Sequence, residues 1–351
     1  MAFITHKEIF NQLKADLIGK DSYRGITLTY AWLANQFGHI ALGFIPSFIL
    51  FHALPDLSPL KKSLTVALIV TIFWFLFELY NFLGPLLIQR ISSSKNVYLP
   101  VGKKYIFKPI WKNIAFDTFT DVCFFALGAY GFSYLKAQDE LSLLILVILM
   151  LYLSVATRYW FLVKMYQQYA NYPFQFRLSQ WNYTISDYNK NIINEYLHHA
   201  DKGKHLLIFG SQLSGKTSLG VGMLNELSIK RKLCFYSSAT KLYTYFFVED
   251  NALFSDWKLW TWKQSDFLII DDVNPGSPIE EELISPKQFL SFLDPTQSGY
   301  QHNDTIKTIA NKNVIWILGN CKDLDFEQNT WVQMLNSIGV KKHNIKVLNL
   351  L

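Results

Sequence analysis

The sequence is poor in charged residues and in cysteine, and both shortages exclude whole classes of protein. Only 17% of its 351 residues are charged while 50% are hydrophobic, a balance too apolar for an ordinary soluble enzyme. The three cysteines, Cys123, Cys234 and Cys321, lie far apart and form no C-x-x-C pair. They exclude a disulfide framework and a cysteine-based zinc site, and they fit a reducing cytoplasm. The polar first 36 residues lack the apolar core of a cleavable signal peptide.

The formal net charge of +6 does not indicate a nucleic-acid-binding domain, because the excess is confined to one half of the chain. Residues 1–163 contain 14 Lys and Arg against 9 Asp and Glu, whereas residues 164–351 contain 19 against 18. A nearly neutral C-terminal half offers no electrostatic basis for binding phosphate backbones. We therefore do not expect a nucleic-acid partner, and we attribute the basic excess to membrane topology.

Long apolar runs crowd into residues 37–163, which we predict to be a transmembrane domain of about four helices. The runs cover about 37–54, 63–89, 118–135 and 141–163. Each approaches the roughly 20 residues that cross a bilayer. His39 and Pro46 in the first run, and Asp121 in the third, leave a buried or re-entrant segment open at these two places.

The basic residues beside these runs predict the orientation of the chain, because short loops rich in Lys and Arg stay in the cytoplasm. The segment after the second run carries Arg90, Lys95, Lys103, Lys104, Lys108 and Lys112. With four crossings, the N-terminus, this basic segment and the C-terminal half all lie on the cytoplasmic side. We predict a multi-pass protein of the membrane, in bacteria the inner membrane.

Apolar residues at helical spacing before the first run predict an amphipathic helix. They are Phe3, Ile9, Phe10, Leu13, Leu17 and Ile18, set among Lys7, Glu8, Lys14 and Asp16. Such a helix either packs on the cytoplasmic domain or lies in the membrane interface. After the last run, aromatic residues that include Trp181 and Tyr183 are of the type found at a membrane–water boundary.

Four ionisable residues, His39, Glu78, Asp121 and Arg158, lie within the apolar runs, where a charge is costly unless it is paired or faces water. We favour pairing between helices over an ion or substrate path. The sequence has no internal repeat and no discontinuous-helix pattern of the transporter kind. A transporter whose path uses Glu78 and Asp121 is the least favoured hypothesis.

The strongest functional signal is an eight-residue match to G-x-x-x-x-G-K-[ST], the phosphate-binding loop or P-loop. Its residues, with the serine that follows, are Gly210, Ser211, Gln212, Leu213, Ser214, Gly215, Lys216, Thr217 and Ser218. An apolar strand at 205–209 precedes the loop and a helix follows it, as the motif requires. We predict that backbone amides and the helix N-terminus hold the phosphates of ATP. Lys216 contacts the β- and γ-phosphates, and Thr217 binds Mg²⁺.

Two further buried strands end in polar residues of the kinds that complete an ATPase site. Residues 267–270 lead into Asp271 and Asp272, which is typical of a Walker B segment. Asp271 is predicted to hold Mg²⁺ through water and Asp272 to act as the general base. The strand at 314–318 ends in Gly319 and Asn320, and Asn320 is predicted to sense the γ-phosphate.

Taken in order, these elements resemble AAA+-like ATPases of the ASCE class, of the helicase-loader and insertion-sequence ATP-binding type. The resemblance covers roughly residues 186–351 and rests on GSQLSGKTSLGVGMLNELSIKRKLCFYSSATKL, DFLIIDDVN and NVIWILGNCKDLD. It implies an α/β three-layer P-loop NTPase domain with a mainly parallel sheet. It also implies oligomers with ATP at the contacts between subunits.

The sequence departs from that family because no arginine follows Arg231. The arginine finger and second sensor are therefore missing, and Lys322, Lys341, Lys342 or a partner protein has to supply the positive charge. Few residues follow the last predicted strand, at 345–348, so we do not expect the helical lid that this family usually has.

A GTPase is the nearest alternative, since Asn320 and Asp323 flank a lysine as in N-K-x-D. The lysine stands one position late, and no D-x-x-G follows the second strand. Residues 275–286 contain Pro275, Pro278, Pro286 and three consecutive glutamates, and they are expected to form a mobile surface loop beside the site or a partner contact.

These observations predict four regions: a cytoplasmic amphipathic segment at 1–36, the transmembrane domain at 37–163, a juxtamembrane linker at 164–203 and a P-loop ATPase domain at 204–351. The expected function is a membrane-anchored ATPase that uses Mg-ATP to drive or gate a larger assembly, as a homo-oligomer or with partner proteins. Secretion, DNA transfer, a mobile element and defence are the contexts considered. The alternative is an ATP-dependent switch or scaffold with little hydrolysis.

Overall fold

The computed structural model describes most of the chain, in two compact units. The described residues are 4–18, 26–54, 58–91, 97–98, 104–198, 202–247, 259–279, 282–294, 296, 304–320 and 323–350. The N-terminal unit is Thr5–Met165, and the C-terminal unit is Tyr166–Leu351 together with the first four residues.

The N-terminal unit is helical. Its elements are α1 (His6–Leu17), α2 (Leu28–Ala53), α3 (Pro59–Ile91), the two short strands β1 (Val97–Tyr98) and β2 (Lys104–Tyr105), α4 (Trp111–Ala137) and α5 (Glu140–Tyr169), of which the last four residues count with the other unit. Among the described residues, Leu28–Ala53, Pro59–Leu83 and Glu140–Tyr169 are long and apolar enough to cross a membrane. Helix α4 contains the predicted run at 118–135 but is not among these three helices. A fourth crossing stays a prediction.

The N-terminal unit leaves many large apolar side chains exposed in addition to those in its core, such as buried Phe125 and Phe132. Large apolar side chains on the long helices point outward, and Leu151 is 67% exposed. Hydroxyl groups are turned inward: Ser133 and Ser142 are fully buried and their Oγ atoms lie 3.0 Å apart, within hydrogen-bond distance. Small polar residues that bond between helices, with apolar residues outside, are the pattern expected in apolar surroundings.

Helices α2 and α4 cross closely at two glycines. A Cβ atom added at Gly43 would overlap the carbonyl oxygen of Phe125, and one added at Gly128 would overlap that of Ile40. Only hydrogen atoms fit between the two backbones here. One turn away, His39 Nδ1 lies 3.3 Å from the Asp121 carboxylate, so two of the ionisable residues in the apolar runs pair between helices.

Helix α1 turns its polar side inward. Gln12 and Asp16 are buried, and Gln12 donates hydrogen bonds to Asp16 and to Thr29 of α2. The apolar Phe10 and Leu17 are exposed. Within its unit, therefore, α1 leaves its apolar face uncovered.

The C-terminal unit is an α/β sandwich around a five-stranded sheet. Its elements are α6 (Asp187–His198), β3 (His205–Gly210), α7 (Lys216–Ile229), β4 (Cys234–Ser238), α8 (Ala239–Phe246), β5 (Phe267–Asp271), α9 (Pro286–Leu293), α10 (Thr305–Ala310), β6 (Asn313–Gly319), α11 (Leu324–Ser337) and β7 (Ile345–Leu350). The strands run parallel in the order β4-β5-β6-β3-β7. Strands β3, β5 and β6 are buried along their whole length, as helices on both faces of a parallel sheet require.

This strand order brings the predicted site residues to one edge of the sheet. Strand β6 lies between β3, which leads into the P-loop, and β5, which ends at Asp271. The prediction of a mainly parallel sheet is confirmed. Because all five strands are parallel, Gly210, Asp271 and Gly319 all lie at the carboxyl edge.

Candidate nucleotide-binding site

The P-loop joins the end of β3 to the start of α7. Leu213 and Gly215 both have left-handed backbone conformations, with φ of 64° and 82°. Glycine adopts this conformation without strain. Helix α7 begins at Lys216, so the amides of its first turn, at Thr217 and Ser218, point out of the helix N-terminus. The Ser218 hydroxyl donates to the carbonyl of Gly215 at 2.9 Å and so stabilises the loop.

Lys216 lies inside the loop. Its ammonium donates to the carbonyl oxygens of Gly210 at 2.8 Å and Ser211 at 2.6 Å. Burial lowers the pKa of Lys216, and the nearby Asp271 opposes this change. An anion held in the loop would offset the cost of burying the ammonium, which fits a phosphate.

The Ser214 hydroxyl gives a second test of whether the loop suits phosphate. It is buried, and no other described residue offers it a hydrogen-bond partner. A buried hydroxyl without a partner costs free energy. A phosphate oxygen in the loop would supply the missing acceptor, so the residues present fit a nucleotide phosphate.

Asp271 is buried at the end of β5, and both of its carboxylate oxygens have partners. The Tyr236 hydroxyl donates to Oδ2 at 2.9 Å, and the Asp272 amide donates to Oδ1 at 2.8 Å. Burial raises the pKa of Tyr236, and the negative charge of Asp271 raises it further, so the phenol stays protonated. These bonds orient the carboxylate before any metal binds. Sequence reasoning missed Tyr236, whose only signal is its place near the end of the strand beside β5.

Asp272 follows in a left-handed conformation, with φ of 54°, and lies at the surface. Partial loss of hydration raises its pKa, and the neighbouring Asp271 raises it further. A carboxylate with a raised pKa is a stronger base than an ordinary one, which suits proton abstraction from water.

Asn320 is tied to the P-loop strand through its backbone and to another loop through its side chain. Its amide donates to the carbonyl of Gly210 at 3.2 Å. Its Oδ1 accepts from the Ser277 amide at 3.1 Å, which leaves the NH₂ group of the side chain as the donor for other partners. The orientation of this side chain is therefore set by Ser277.

The loop after Asp272 packs on the site instead of projecting into solvent. The Ser277 carbonyl accepts from the Gln212 amide of the P-loop at 2.9 Å. Gly276, with φ of 83°, packs so closely on Gly319 that neither position has room for a Cβ atom. Residues 275–279 lie beside the site, as expected, with Pro278 and Ile279 at the surface. The mobility of this loop stays a prediction. Residues 280 and 281 lie outside the described residues.

Two aromatic residues that precede α6 also pack on the P-loop. Trp181 is fully buried, and its indole N–H donates to the Gly215 carbonyl at 2.9 Å. The Tyr183 ring lies where a side chain at Gly215 would project, at 2.5 Å from the position of its Cβ. As aromatic residues that follow the last apolar run, both are predicted from the sequence to lie at a membrane–water boundary. Their contacts place them in the candidate site. No local sequence signal could have shown this.

The residues proposed to replace the missing arginine receive little support. Lys341 and Lys342 precede β7, at the opposite edge of the sheet from the P-loop. They cannot reach the P-loop of their own chain. Lys322 lies outside the described residues. Arg177, the last arginine before the P-loop, is paired with Glu226 at 2.8 Å.

The geometry also bears on the GTPase alternative and on the predicted magnesium ligands. Asp323, the aspartate of the N-K-x-D-like stretch, accepts from the Phe326 amide and caps α11. Nowhere in the described ranges do three or more His, Cys, Asp or Glu side chains gather as a metal cluster. Mg²⁺ in nucleotide sites needs few protein ligands because phosphates and water supply the others. Thr217 and Asp271 fit that requirement.

Comparisons with known proteins give no family. No family model and no curated protein matches the chain. Among solved structures, the DnaC helicase loader matches with a TM-score of 0.34 and 17% identity, over 52% of this chain and 98% of that one. DnaI matches with a TM-score of 0.31 and 16% identity, over 50% of this chain and 88% of that one. Similarity at this level carries no information about substrate or partner.

Proposed function

We propose that this protein is a membrane-anchored ATPase that binds and hydrolyses Mg-ATP to drive or gate a larger membrane assembly, as a homo-oligomer or with partner proteins. The observation that carries the proposal is the carboxyl edge of the C-terminal sheet. There the P-loop with its buried Lys216, the Asp271–Asp272 pair and Asn320 follow three adjacent strands. Secretion, DNA transfer, a mobile element and defence are the contexts in which such an assembly is expected.

Each residue has a role that its geometry supports. The P-loop amides and Lys216 bind the phosphates, and the positive end of α7 favours their negative charge. Thr217 and Asp271 would hold Mg²⁺, which when bound would neutralise charge on the β- and γ-phosphates. Asp272 takes a proton from the attacking water. Asn320 donates a hydrogen bond from its side-chain NH₂ group to the γ-phosphate, in the orientation that Ser277 fixes.

The membrane half of the proposal rests on the exposed apolar surface of the long helices in the N-terminal unit. Apolar side chains such as Leu151 and Val155 are exposed on helices of membrane-spanning length. We infer that α4 is the fourth crossing, because it packs against α2 through the glycine pair and spans 27 residues. Four crossings place the N-terminus and the ATPase on the cytoplasmic side. The outward apolar face of α1 favours a position in the membrane interface.

A second candidate function is a switch that binds ATP and hydrolyses it slowly. It is favoured by the two bonds of Ser277, which link the P-loop amide of Gln212 to the side chain of Asn320. A γ-phosphate that binds the Gln212 amide or the Asn320 side chain would disturb one of these two hydrogen bonds. The loop at 275–279 would then change with the nucleotide state. The absence of arginine after Arg231 also favours slow turnover.

The test is ATP hydrolysis and ATP binding by the full chain purified in detergent, over a range of protein concentrations. Lys216→Ala is expected to abolish binding and hydrolysis together. Asp272→Asn is expected to keep binding and to lower turnover by about 100-fold or more, since it removes the base but not the phosphate contacts. The matched controls are Lys241→Ala and Asp325→Asn, which change exposed residues of the same unit.

The two candidates give different results in this experiment. Turnover that rises steeply with protein concentration supports an oligomeric ATPase. Tight binding with negligible turnover at every concentration supports the switch. Binding of ATP that is unchanged in Lys216→Ala would contradict both.

A further inference from the structure

A cavity of about 650 Å³ opens at the amino edge of the C-terminal sheet, where β4, β5 and β6 begin. The P-loop and Asp271 lie at the carboxyl edge. A strand of five or six residues separates the two edges by roughly 17–20 Å. The cavity is therefore distinct from the candidate nucleotide site.

Five lysines line this cavity: Lys202, Lys232, Lys263, Lys307 and Lys312. Two aspartates, Asp266 and Asp304, also line it, and Lys263 pairs with Asp304 at 3.5 Å. Three positive charges remain in excess. The chain from residue 164 onward is almost neutral as a whole, so the cavity concentrates positive charge that the rest of this half does not have.

Lys312 is the most constrained of the five. It is 7% exposed, and its ammonium donates to the carbonyl oxygens of Lys263, at 3.0 Å, and Ser265. Burial lowers its pKa to about 8; Asp266 opposes this change and Lys202 adds to it. A buried ammonium beside other lysines is stabilised by a nearby anion.

The shape of the site limits the ligand. A concave cavity of this volume is in the size range of small-molecule sites, and a nucleic-acid duplex cannot enter it. Its lining is polar except for Phe267. Lysine ammonium groups bind phosphate as point charges. Lys202 and Lys307 are exposed, so an incoming anion can reach them.

We propose that this lysine-lined cavity is a second anion site, which binds a compact phosphate-bearing group. The group is either part of a soluble phosphorylated molecule or the headgroup of an anionic phospholipid. Both sources present the same chemistry to the lysines, namely phosphate oxygens that carry negative charge. The proposal does not depend on hydrolysis at the P-loop.

The experiment is lysine acylation of the full chain, read residue by residue by mass spectrometry. One arm adds inorganic pyrophosphate to protein in nanodiscs of phosphatidylcholine. The other arm uses nanodiscs that contain phosphatidylglycerol, without pyrophosphate. Sodium chloride at matched ionic strength controls for screening. Lys216 in the same samples reports on the P-loop separately, while Lys241 and Lys287 report on exposed surface.

The expected result is a slowing of acylation by about fivefold or more at Lys202, Lys232 and Lys307, with Lys241 and Lys287 unchanged. Protection by pyrophosphate identifies a soluble ligand, and protection in the phosphatidylglycerol discs identifies a headgroup. The double variant Lys202→Gln with Lys307→Gln should raise the concentration needed to protect Lys232 by about tenfold, because two charge-assisted contacts are lost. The control double variant, Lys241→Gln with Lys287→Gln, should leave the concentration needed to protect Lys232 unchanged.

Three results would overturn the proposal. The first is no protection in either arm beyond that of sodium chloride. The second is equal protection of Lys241 and Lys287, which would show general screening. The third is protection of Lys232 that the Lys202→Gln, Lys307→Gln variant leaves unaltered.

Discussion

The two units of this protein differ in how many large apolar side chains their long helices leave exposed. In the C-terminal unit, Leu207, Ile269 and Trp316 are fully buried in or against the sheet. In the N-terminal unit, Phe125 and Phe132 are buried, but Leu151 and Val155 are exposed on a long helix. The exposed apolar side chains of the N-terminal unit fit the proposed membrane position of that unit. The exposure of an apolar side chain has a different energetic consequence in water and in lipid, so exposure has to be interpreted together with the surroundings.

The sharpest test of this difference compares two positions of similar exposure. Leu151 is 67% exposed in the N-terminal unit and Phe326 is 69% exposed in the C-terminal unit. Leu151→Lys is expected to cost about 3 kcal/mol of membrane insertion, because a charge enters hydrocarbon. Phe326→Lys should be almost neutral. The measurement is the fraction of protein that resists alkaline extraction from membranes. Equal tolerance of both lysines would mean that α5 faces water.

A second test addresses the crossing of α2 and α4. Gly43→Ala is expected to destabilise the N-terminal unit by about 2 kcal/mol, because a methyl group cannot fit against the carbonyl of Phe125. Gly38→Ala on the same helix is the matched control, since nothing lies within 4 Å of its Cβ position. Buried Cys123 and Cys234 report on the two units separately through their rates of thiol labelling. Faster labelling of Cys123 alone is the expected outcome, and faster labelling in both glycine variants would argue against a specific crossing.

The C-terminal unit should lose stability in acid through one histidine. Burial lowers the pKa of His205 to about 4 from 6.5, so this side chain is neutral in the folded state. Below pH 6.5, His205 becomes protonated in the unfolded chain but stays neutral in the folded chain. Stability is therefore fully present above pH 6.5 and falls as pH drops towards 4, with a loss of about 2 kcal/mol by pH 5.

The check is the denaturation midpoint of the C-terminal unit after equilibration at pH 7.5 or pH 5, read by short pulses of Cys234 labelling at pH 8. His205→Gln should flatten the change between the two pH values. His343→Gln, at an exposed position, should leave it as in the parent chain. An equal change in all three proteins would assign the acid sensitivity to other groups.

The smallest expected effect concerns the aromatic contact with the P-loop. Trp181→Phe removes the hydrogen bond to the Gly215 carbonyl and should weaken ATP binding about fivefold, which corresponds to about 1 kcal/mol. Trp260→Phe removes a similar bond, to the Cys234 carbonyl in the core, and should not change ATP binding. Titration with a fluorescent ATP analogue measures both. Identical affinities in the two variants would leave Trp181 with a purely structural role.

Local sequence patterns determined a large part of this protein. The spacing of Gly210, Gly215 and Lys216 identified the P-loop, and the apolar strands before Asp271 and Asn320 identified the neighbouring strands of one parallel sheet. The lengths of the apolar runs identified the helices of the N-terminal unit. In each case the information lies within one short stretch of the chain, where backbone geometry converts spacing into a turn, a strand or a helix.

Tertiary structure alone decided which distant side chains meet. The Tyr236 hydroxyl reaches Asp271 across 35 residues, and the Ser277 amide reaches Asn320 across 43. The lysine-lined cavity gathers residues from Lys202 to Asn313. Such contacts depend on strand order and on the packing of loops, which no short pattern encodes. Sequence therefore determined the chemical groups and their local elements, and the packed sheet decided which of those groups share a site.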